Sequence, residues 1–290
     1  MTLPAPEAEF NSLVPENRYS RRGFIATALA SGFTLAAGPV MAQTAIHTDA
    51  AGLAAGEVEV KTAGGEIPAY RAKPAGAGKP PVVLVVEEIF GVHEYIKDIC
   101  RRLAREGYLA IAPELYARYG DATKLTGVQE ALALANRASD ALVMSDLDAC
   151  IDWAQADGGD TGRLAITGFC RGGRTVWMYA AHQPRLRAGV AWYGPLAGTA
   201  NERMPSHPID IAASLKAEVL GLYGGKDQGI TAAHIEQMRA AIAKAGGRSE
   251  IHVYPDAPHA FHADYRPSYR KEEAEDGWRR MLAWFRRHGV

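Results

Sequence analysis

A short apolar strand that runs directly into Gly168-Phe169-Cys170-Arg171-Gly172-Gly173 limits what this chain can fold into more than any other stretch. Leu164 to Thr167 reads as the strand, and Thr175 to His182 as the helix that follows. Between them lies a sharp turn, where small residues on both sides of Cys170 let the backbone pack closely. This is the layout of a nucleophile elbow, G-x-S-x-G in its usual form, with cysteine in the place of serine. A free cysteine is also often a small core hydrophobe, so a buried structural thiol in a strand–glycine–helix crossover is the plain alternative. For the elbow to be a site, the rest of the chain must supply a base, an acid and an oxyanion hole.

The chain is long enough to do so. Its 290 residues, 48% of them apolar, can bury one large core or two small ones. A formal net charge of −1 gives no sign of a nucleic-acid or membrane-surface partner. The three cysteines form no C-x-x-C pair and show no zinc-like spacing, so neither a metal site nor another cofactor is expected. Cys100 and Cys150 fall on the apolar faces of helical segments and read as buried thiols.

The N-terminus reads as an address. Ser20-Arg21-Arg22-Gly23-Phe24-Ile25 precedes an uncharged, alanine-rich run that ends at Met41-Ala42. This is the pattern of a twin-arginine signal, cleaved after Ala42, and it predicts the export machinery as a partner and a periplasmic or secreted destination. The run is too weakly apolar for a permanent membrane anchor. Residues 43–56 read as a loose leader rich in alanine and glycine, and 57–290 as a single catalytic domain.

That domain begins with an antiparallel hairpin, Glu57–Thr62 and Ile67–Ala72, joined at Ala63-Gly64-Gly65. Pro68 confines the second strand to a sheet edge or to a pairing that does not need its N–H. Val82–Val86 is a continuous apolar run of the kind buried on both faces of a parallel sheet. Strands at Tyr108–Ala112, Ala188–Trp192, Glu218–Tyr223 and Ser249–Tyr254 then alternate with helices. The helices read at Glu94–Arg105, Asp146–Ala156, Ala232–Ala245 and Lys271–Arg287. The order predicts an α/β fold, a mostly parallel sheet of about eight strands covered by helices on both faces.

In such a sheet, active residues lie on the loops after the carboxyl ends of strands. Asp227 follows Glu218–Tyr223, and His259 follows Ser249–Tyr254 in the loop Pro255-Asp256-Ala257-Pro258-His259-Ala260-Phe261. Cys170, Asp227 and His259 occur in the nucleophile–acid–histidine order of α/β-hydrolases, with His259 as base and Asp227 as its orienting acid. Asp256 and His262 compete for these roles. Asp227 is preferred because it ends the preceding strand, and His259 because it comes earlier in its loop, behind a proline-set turn. Glu87 and Glu88 close the apolar Val82–Val86 run and should be costly there without partners; one of the two can face the nucleophile. The backbone N–H groups of Ile89 and Arg171 are the candidates for an oxyanion hole.

Taken together, Gly-Phe-Cys-Arg-Gly-Gly, Glu-Ile-Phe-Gly, Glu114-Leu115-Tyr116-Ala117-Arg118, Gly225-Lys226-Asp227 and Pro-His-Ala-Phe resemble the dienelactone hydrolases, or carboxymethylenebutenolidases. The resemblance covers nearly all of the chain after the signal. It implies the α/β-hydrolase fold, a Cys170–Asp227–His259 triad, and hydrolysis of a small lactone or ester through an acyl-thioester. It also implies that Glu88 guards the resting thiol. The related possibilities are a broader carboxylesterase or thioesterase, or a non-catalytic thiol-redox protein on the same fold. One departure concerns the substrate. Familiar members bind a substrate carboxylate with two arginines, one of them four residues after the catalytic histidine, where this chain has Ala263. Arg118, Arg266 and Tyr116 are the candidates to contact substrate instead.

Overall fold

The computed structural model of the protein describes residues 45–290, apart from residues 77 and 126. The twin-arginine segment expected over residues 1–42 lies outside the described residues. The strands are β1 (Leu53–Thr62), β2 (Gly65–Pro74), β3 (Pro81–Val86), β4 (Leu109–Pro113), β5 (Asp160–Phe169), β6 (Ala188–Trp192), β7 (Glu218–Gly224) and β8 (Glu250–Tyr254). The helices are α1 (Glu94–Arg105), α2 (Val128–Ala135), α3 (Asp140–Ala156), α4 (Arg171–His182), α5 (Ala232–Lys244) and α6 (Lys271–Arg287).

The strands form one sheet in the order β1-β2-β4-β3-β5-β6-β7-β8. β2 pairs antiparallel with β1 and with β4, and every pair from β4 to β8 is parallel. Val82 to Val86 are fully buried, as a strand covered on both faces requires. The chain moves from β3 to β4 in one direction along the sheet, then from β4 past β3 to β5 in the other. Right-handed crossovers therefore put α1 on one face and α3 and α4 on the opposite face. Side chains agree with this: the Tyr179 hydroxyl of α4 donates to Asp148 of α3 at 2.8 Å, while Phe285 of α6 meets Tyr108, just after α1. β3 and β5, whose crossovers leave in opposite directions, flank the switch point. The crevice beyond their carboxyl ends is where a doubly wound sheet binds ligands.

Three local expectations change, and one of two alternatives is settled. The leader does not run to residue 56, because Leu53–Gly56 already pair with Arg71–Pro74 in the β1–β2 ladder. Residues before it are also tied down, with the Thr48 N–H on Asp98 and the Thr48 carbonyl accepting from Arg101. Helix α2, unassigned from sequence, is a run of good helix formers, Val-Gln-Glu-Ala-Leu-Ala-Leu-Ala. Helix α3 starts six residues earlier than expected, where the Ser139 hydroxyl caps the Leu142 N–H at 3.3 Å. Pro68 sits in an interior strand by the second of its two permitted routes. At the end of the β2–β4 ladder only its carbonyl is used, accepting from the Glu114 N–H at 2.9 Å.

Asp98 is the electrostatic anchor of α1. It is fully buried and binds Arg101 and Arg102 on its own helix as well as the Thr48 N–H. Arg102 continues to Asp264, in the loop that carries His259. Replacing Asp98 with alanine leaves Arg101 only Glu94 and Arg102 only Asp264 as ion-pair partners, and is expected to destabilise the fold by about 3 kcal/mol. The midpoint of denaturant unfolding measures this, and an unchanged midpoint contradicts it.

Candidate active site

The elbow is built by close approach. β5 ends at Phe169, Cys170 takes φ 52° and ψ −118°, and α4 starts at the next residue, four positions before the expected Thr175. Gly172 therefore lies inside the first helical turn, where a Cβ would stand 2.3 Å from the Val86 carbonyl oxygen. A Cβ on Gly168 would stand 2.4 Å from the carbonyl of Gly172. The strained Cys170 backbone is held by its N–H on the Trp192 carbonyl at 3.0 Å. Among the described residues, the non-glycine residues with positive φ are Cys170, Tyr193 and Ala260. Tyr193 follows β6, whose end binds the elbow, and Ala260 follows His259. Strain of this kind persists where surrounding packing over-determines it.

The acid and base meet as the loop order predicts. His259 Nδ1 lies 2.6 Å from Asp227 Oδ2, and both side chains are buried. The other Asp227 oxygen accepts from the Gly229 and Ile230 N–H groups at 2.9 and 3.0 Å, which fixes the carboxylate. Burial disfavours a charged imidazole, but Asp227 and the Cys170 sulfur together outweigh it and raise the His259 pKa well above its ordinary value. Nε2 is buried and makes no hydrogen bond of good geometry among the described residues, yet the Cys170 sulfur bears on His259 both through charge and as a hydrogen-bond partner. Both competitors are occupied elsewhere. Asp256 is an exposed partner of Lys226 at 2.7 Å, and His262 is buried with Nδ1 2.7 Å from the Tyr95 hydroxyl.

The two glutamates after β3 lie in opposite environments. Glu88 is 1% exposed and accepts from the Tyr265 hydroxyl, with Arg266 Nη2 and His93 Nε2 each 3.8 Å away. Burial alone would keep it neutral. Arg266, His93 and Tyr265 reverse that and bring its pKa down to about 2. Glu87 is equally buried, but burial and the neighbouring Glu114 push its pKa well above the usual carboxylate range. Glu87 accepts from the Leu115 N–H at 2.9 Å, and Glu114 from the Val92 N–H at 3.0 Å. Each carboxyl thus holds the other's loop, which braces the Ile89–Val92 segment. The N–H groups of Ile89 and Arg171 are not used by backbone hydrogen bonds among the described residues. The Arg171 N–H opens α4, where it has no acceptor within the helix.

The three candidate substrate residues separate. Arg266 is buried against Glu88, its guanidinium 4.8 Å from the ring centres of both Phe90 and Tyr265. Tyr116 is buried, and its hydroxyl feels Arg171, Glu87 and Cys170. Arg118 is not in the site. It is turned to the β1–β2 hairpin, with Asp146 at 2.6 and 2.9 Å and Thr62 as partners; residues 115–119 form a turn, so the alternation of a strand does not keep Arg118 beside Tyr116. Sequence reasoning missed Tyr95, His93, Tyr193 and Tyr265. His93 caps α1 and Tyr95 lies in its first turn, just past Gly91, while the others follow β6 and β8, far along the chain. The one signal that could have found Tyr193 is its place at the carboxyl end of β6, where sites gather.

A doubly wound sheet with a strained elbow after β5, an acid after β7 and a histidine after β8 defines an α/β-hydrolase. The model of the dienelactone hydrolase family matches residues 67–289. A Methylorubrum extorquens protein provisionally named carboxymethylenebutenolidase is 57% identical over 290 residues, covering 99% of this chain and 100% of its own. An Escherichia coli K12 protein of the same provisional name is 52% identical over 267 residues, covering 91% of this chain and 98% of its own. Among solved structures, a provisionally named dienelactone hydrolase from Klebsiella pneumoniae is 54% identical with a TM-score of 0.79, covering 80% of this chain and 98% of its own. The chain belongs to the dienelactone hydrolase family, hydrolases of ester and lactone bonds.

The Glu87–Glu114 brace makes stability depend on pH. Burial raises the Glu114 pKa to about 7, well above its value in an unfolded chain. The folded state therefore keeps a proton that the unfolded state loses. The associated stability is fully present below about pH 4 and is lost as pH rises through 7, by about 2 kcal/mol after discounting for partial exposure. Glu114→Gln is expected to flatten the unfolding free energy across pH 4.5–8. A pH slope equal to that of the parent protein rejects the assignment.

Proposed function

We propose that this protein is a cysteine-dependent hydrolase that opens a lactone or cleaves a carboxylic ester through an acyl-thioester on Cys170. The observation that carries the reading is the 2.6 Å Asp227–His259 pair, whose Nε2 is left to the Cys170 sulfur at a strained elbow. His259 takes the proton of the thiol, and the sulfur attacks the carbonyl carbon. Negative charge moves to the carbonyl oxygen, opposite the N–H groups of Ile89 and Arg171. As the C–O bond breaks, His259 gives its proton to the leaving oxygen. A water then loses a proton to His259 and attacks the thioester, and the sulfur departs with the electron pair of the C–S bond. Asp227 holds the imidazole in one orientation throughout.

Glu88 acts in this reading as the guard of the thiol, and the family resemblance supports that role. With Arg266, Tyr265 and His93 around it, Glu88 is an anion at any working pH, so a substrate that engages Arg266 competes directly with it. This favours a substrate that carries a carboxylate beside the scissile bond. Arg266 and Tyr116 contact it, and Arg118, held by Asp146, does not. The names of the relatives, carboxymethylenebutenolidase and dienelactone hydrolase, agree with such a substrate. Export through the twin-arginine route, with cleavage after Ala42 and work in the periplasm, rests on the Arg21-Arg22 pattern.

Cys170→Ala is expected to lower kcat/KM on small esters by at least about a thousandfold. Mass spectrometry of the parent enzyme, quenched during turnover, should find the acyl group on Cys170. Parent-level activity of the variant rejects the mechanism, and stoichiometric acylation without turnover points instead to a thiol-reactive, non-catalytic protein. An ester bearing a free carboxylate should be hydrolysed with kcat/KM at least about tenfold above its methyl-capped form, a difference of about 1.4 kcal/mol. Equal rates favour a broad carboxylesterase.

A further inference from the structure

Three tyrosines crowd the cleft between the end of β3 and the elbow, and their hydroxyls differ in one respect. The Tyr265 hydroxyl donates to Glu88, and the Tyr95 hydroxyl lies 2.7 Å from His262 Nδ1. The Tyr193 hydroxyl is buried and meets the Tyr95 hydroxyl, but among the described residues it makes no hydrogen bond of good geometry. Burying a hydroxyl without a well-aligned hydrogen bond is unfavourable, and such a group in a native structure calls for an explanation. Tyr193 also carries a second cost, φ of 38° on a bulky residue.

Its surroundings identify the partner. Tyr193 follows β6, and its N–H donates to the Leu222 carbonyl at 2.8 Å while the preceding Trp192 carbonyl accepts from Cys170 N–H. Its ring stands edge-on to His259, with centres 5.1 Å apart, and is packed by Phe261 at 5.4 Å. The groups that bear on its hydroxyl are Glu88, Tyr95, Tyr265 and Cys170. Two other buried atoms of the same cleft also lack partners of good geometry, His259 Nε2 and Glu88 Oε1. The phenol is thus beside both the base and the nucleophile. A neutral hydroxyl there can donate to an oxygen that gains charge.

We propose that Tyr193 is a catalytic residue, whose hydroxyl donates a hydrogen bond to the leaving oxygen of the substrate ester or lactone. The inference rests on Cys170 being the nucleophile. As the C–S bond forms and the C–O bond breaks, the electron pair goes to the leaving oxygen and His259 supplies its proton. Tyr193 keeps its own proton and shares the charge from the other side. The carbonyl oxygen is served separately by the backbone N–H groups of Ile89 and Arg171.

Tyr193→Phe removes the hydroxyl and keeps the ring. The experiment measures kcat/KM of the parent and variant mature enzymes on esters of one acid with alcohols of graded pKa. The expected loss is about tenfold or more for poor leaving groups such as alkyl alcohols, and less than about twofold for p-nitrophenol. The plot against leaving-group pKa therefore steepens. Thermal unfolding of the variant should change little, since the hydroxyl loses only a poorly aligned contact with the Tyr95 hydroxyl. A loss that is uniform across the series, no loss at all, or a marked fall in the unfolding temperature overturns the assignment. Acyl trapping on Cys170 from the nitrophenyl ester is measured in parallel. Intact trapping with an unchanged slope overturns the role of Tyr193 alone, and no trapping in the parent enzyme overturns the nucleophile and the inference together.

Discussion

The approach of the first turn of α4 to the end of β3 sets where every other group in the site can stand. A methyl group at Gly172 would overlap the Val86 carbonyl, so the helix reaches β3 only because glycine is there. Once it does, Cys170 is pinned at the top of β5 in a conformation that cysteine rarely adopts, and the β3 loop with Glu87, Glu88 and Ile89 is brought against the helix N-terminus. The parallel pairing of β3 with β5 does the rest, since adjacent parallel strands end side by side. A longer elbow would separate Cys170 from the Asp227–His259 pair and from the loop after β3.

Two adjacent carboxyls then serve different purposes because their neighbours differ in charge. Successive residues after a strand point to opposite sides. Glu87 falls among Leu115, Glu114 and Tyr116, where no cation compensates burial, and becomes a neutral brace. Glu88 falls among Arg266, His93 and Tyr265 and stays an anion. The same desolvation acts on both, and the arginine decides. Environments that push paired acids apart in this way mark functional sites in other hydrolases.

Much of this was legible in the sequence, and what was not has a physical cause. The strands of the parallel sheet stand out because burial on both faces demands continuous apolar runs, and Ala188–Trp192 was read to the residue. The meeting of Asp227 with His259 was legible because loops after parallel strands converge, so chain order carries spatial information. The boundary of α4 was misread because two glycines look like a loop, although here they are the condition for a helix to pack tightly. Arg118 was misassigned because proximity in sequence to Tyr116 says nothing about side-chain direction. The tyrosine cluster was invisible, since Tyr95, Tyr193 and Tyr265 share no motif and meet only through the fold.

Arg266 shows how far sequence register can depart from spatial register. The family pattern places an arginine four residues after the histidine, and Ala263 breaks it. In the structure the chain after His259 folds into two successive turns, with the Ala263 N–H on the Ala260 carbonyl at 3.0 Å and the Arg266 N–H on the Ala263 carbonyl at 2.9 Å. The left-handed Ala260 starts this winding, and Arg102 on Asp264 holds it to α1. Three extra residues are thereby absorbed, and a guanidinium returns to the carboxylate that closes β3. A missing motif residue is thus weak evidence for a missing charge when the loop that carries it can tighten. The charge is the quantity to look for, because a buried Glu88 held as an anion would be untenable without it.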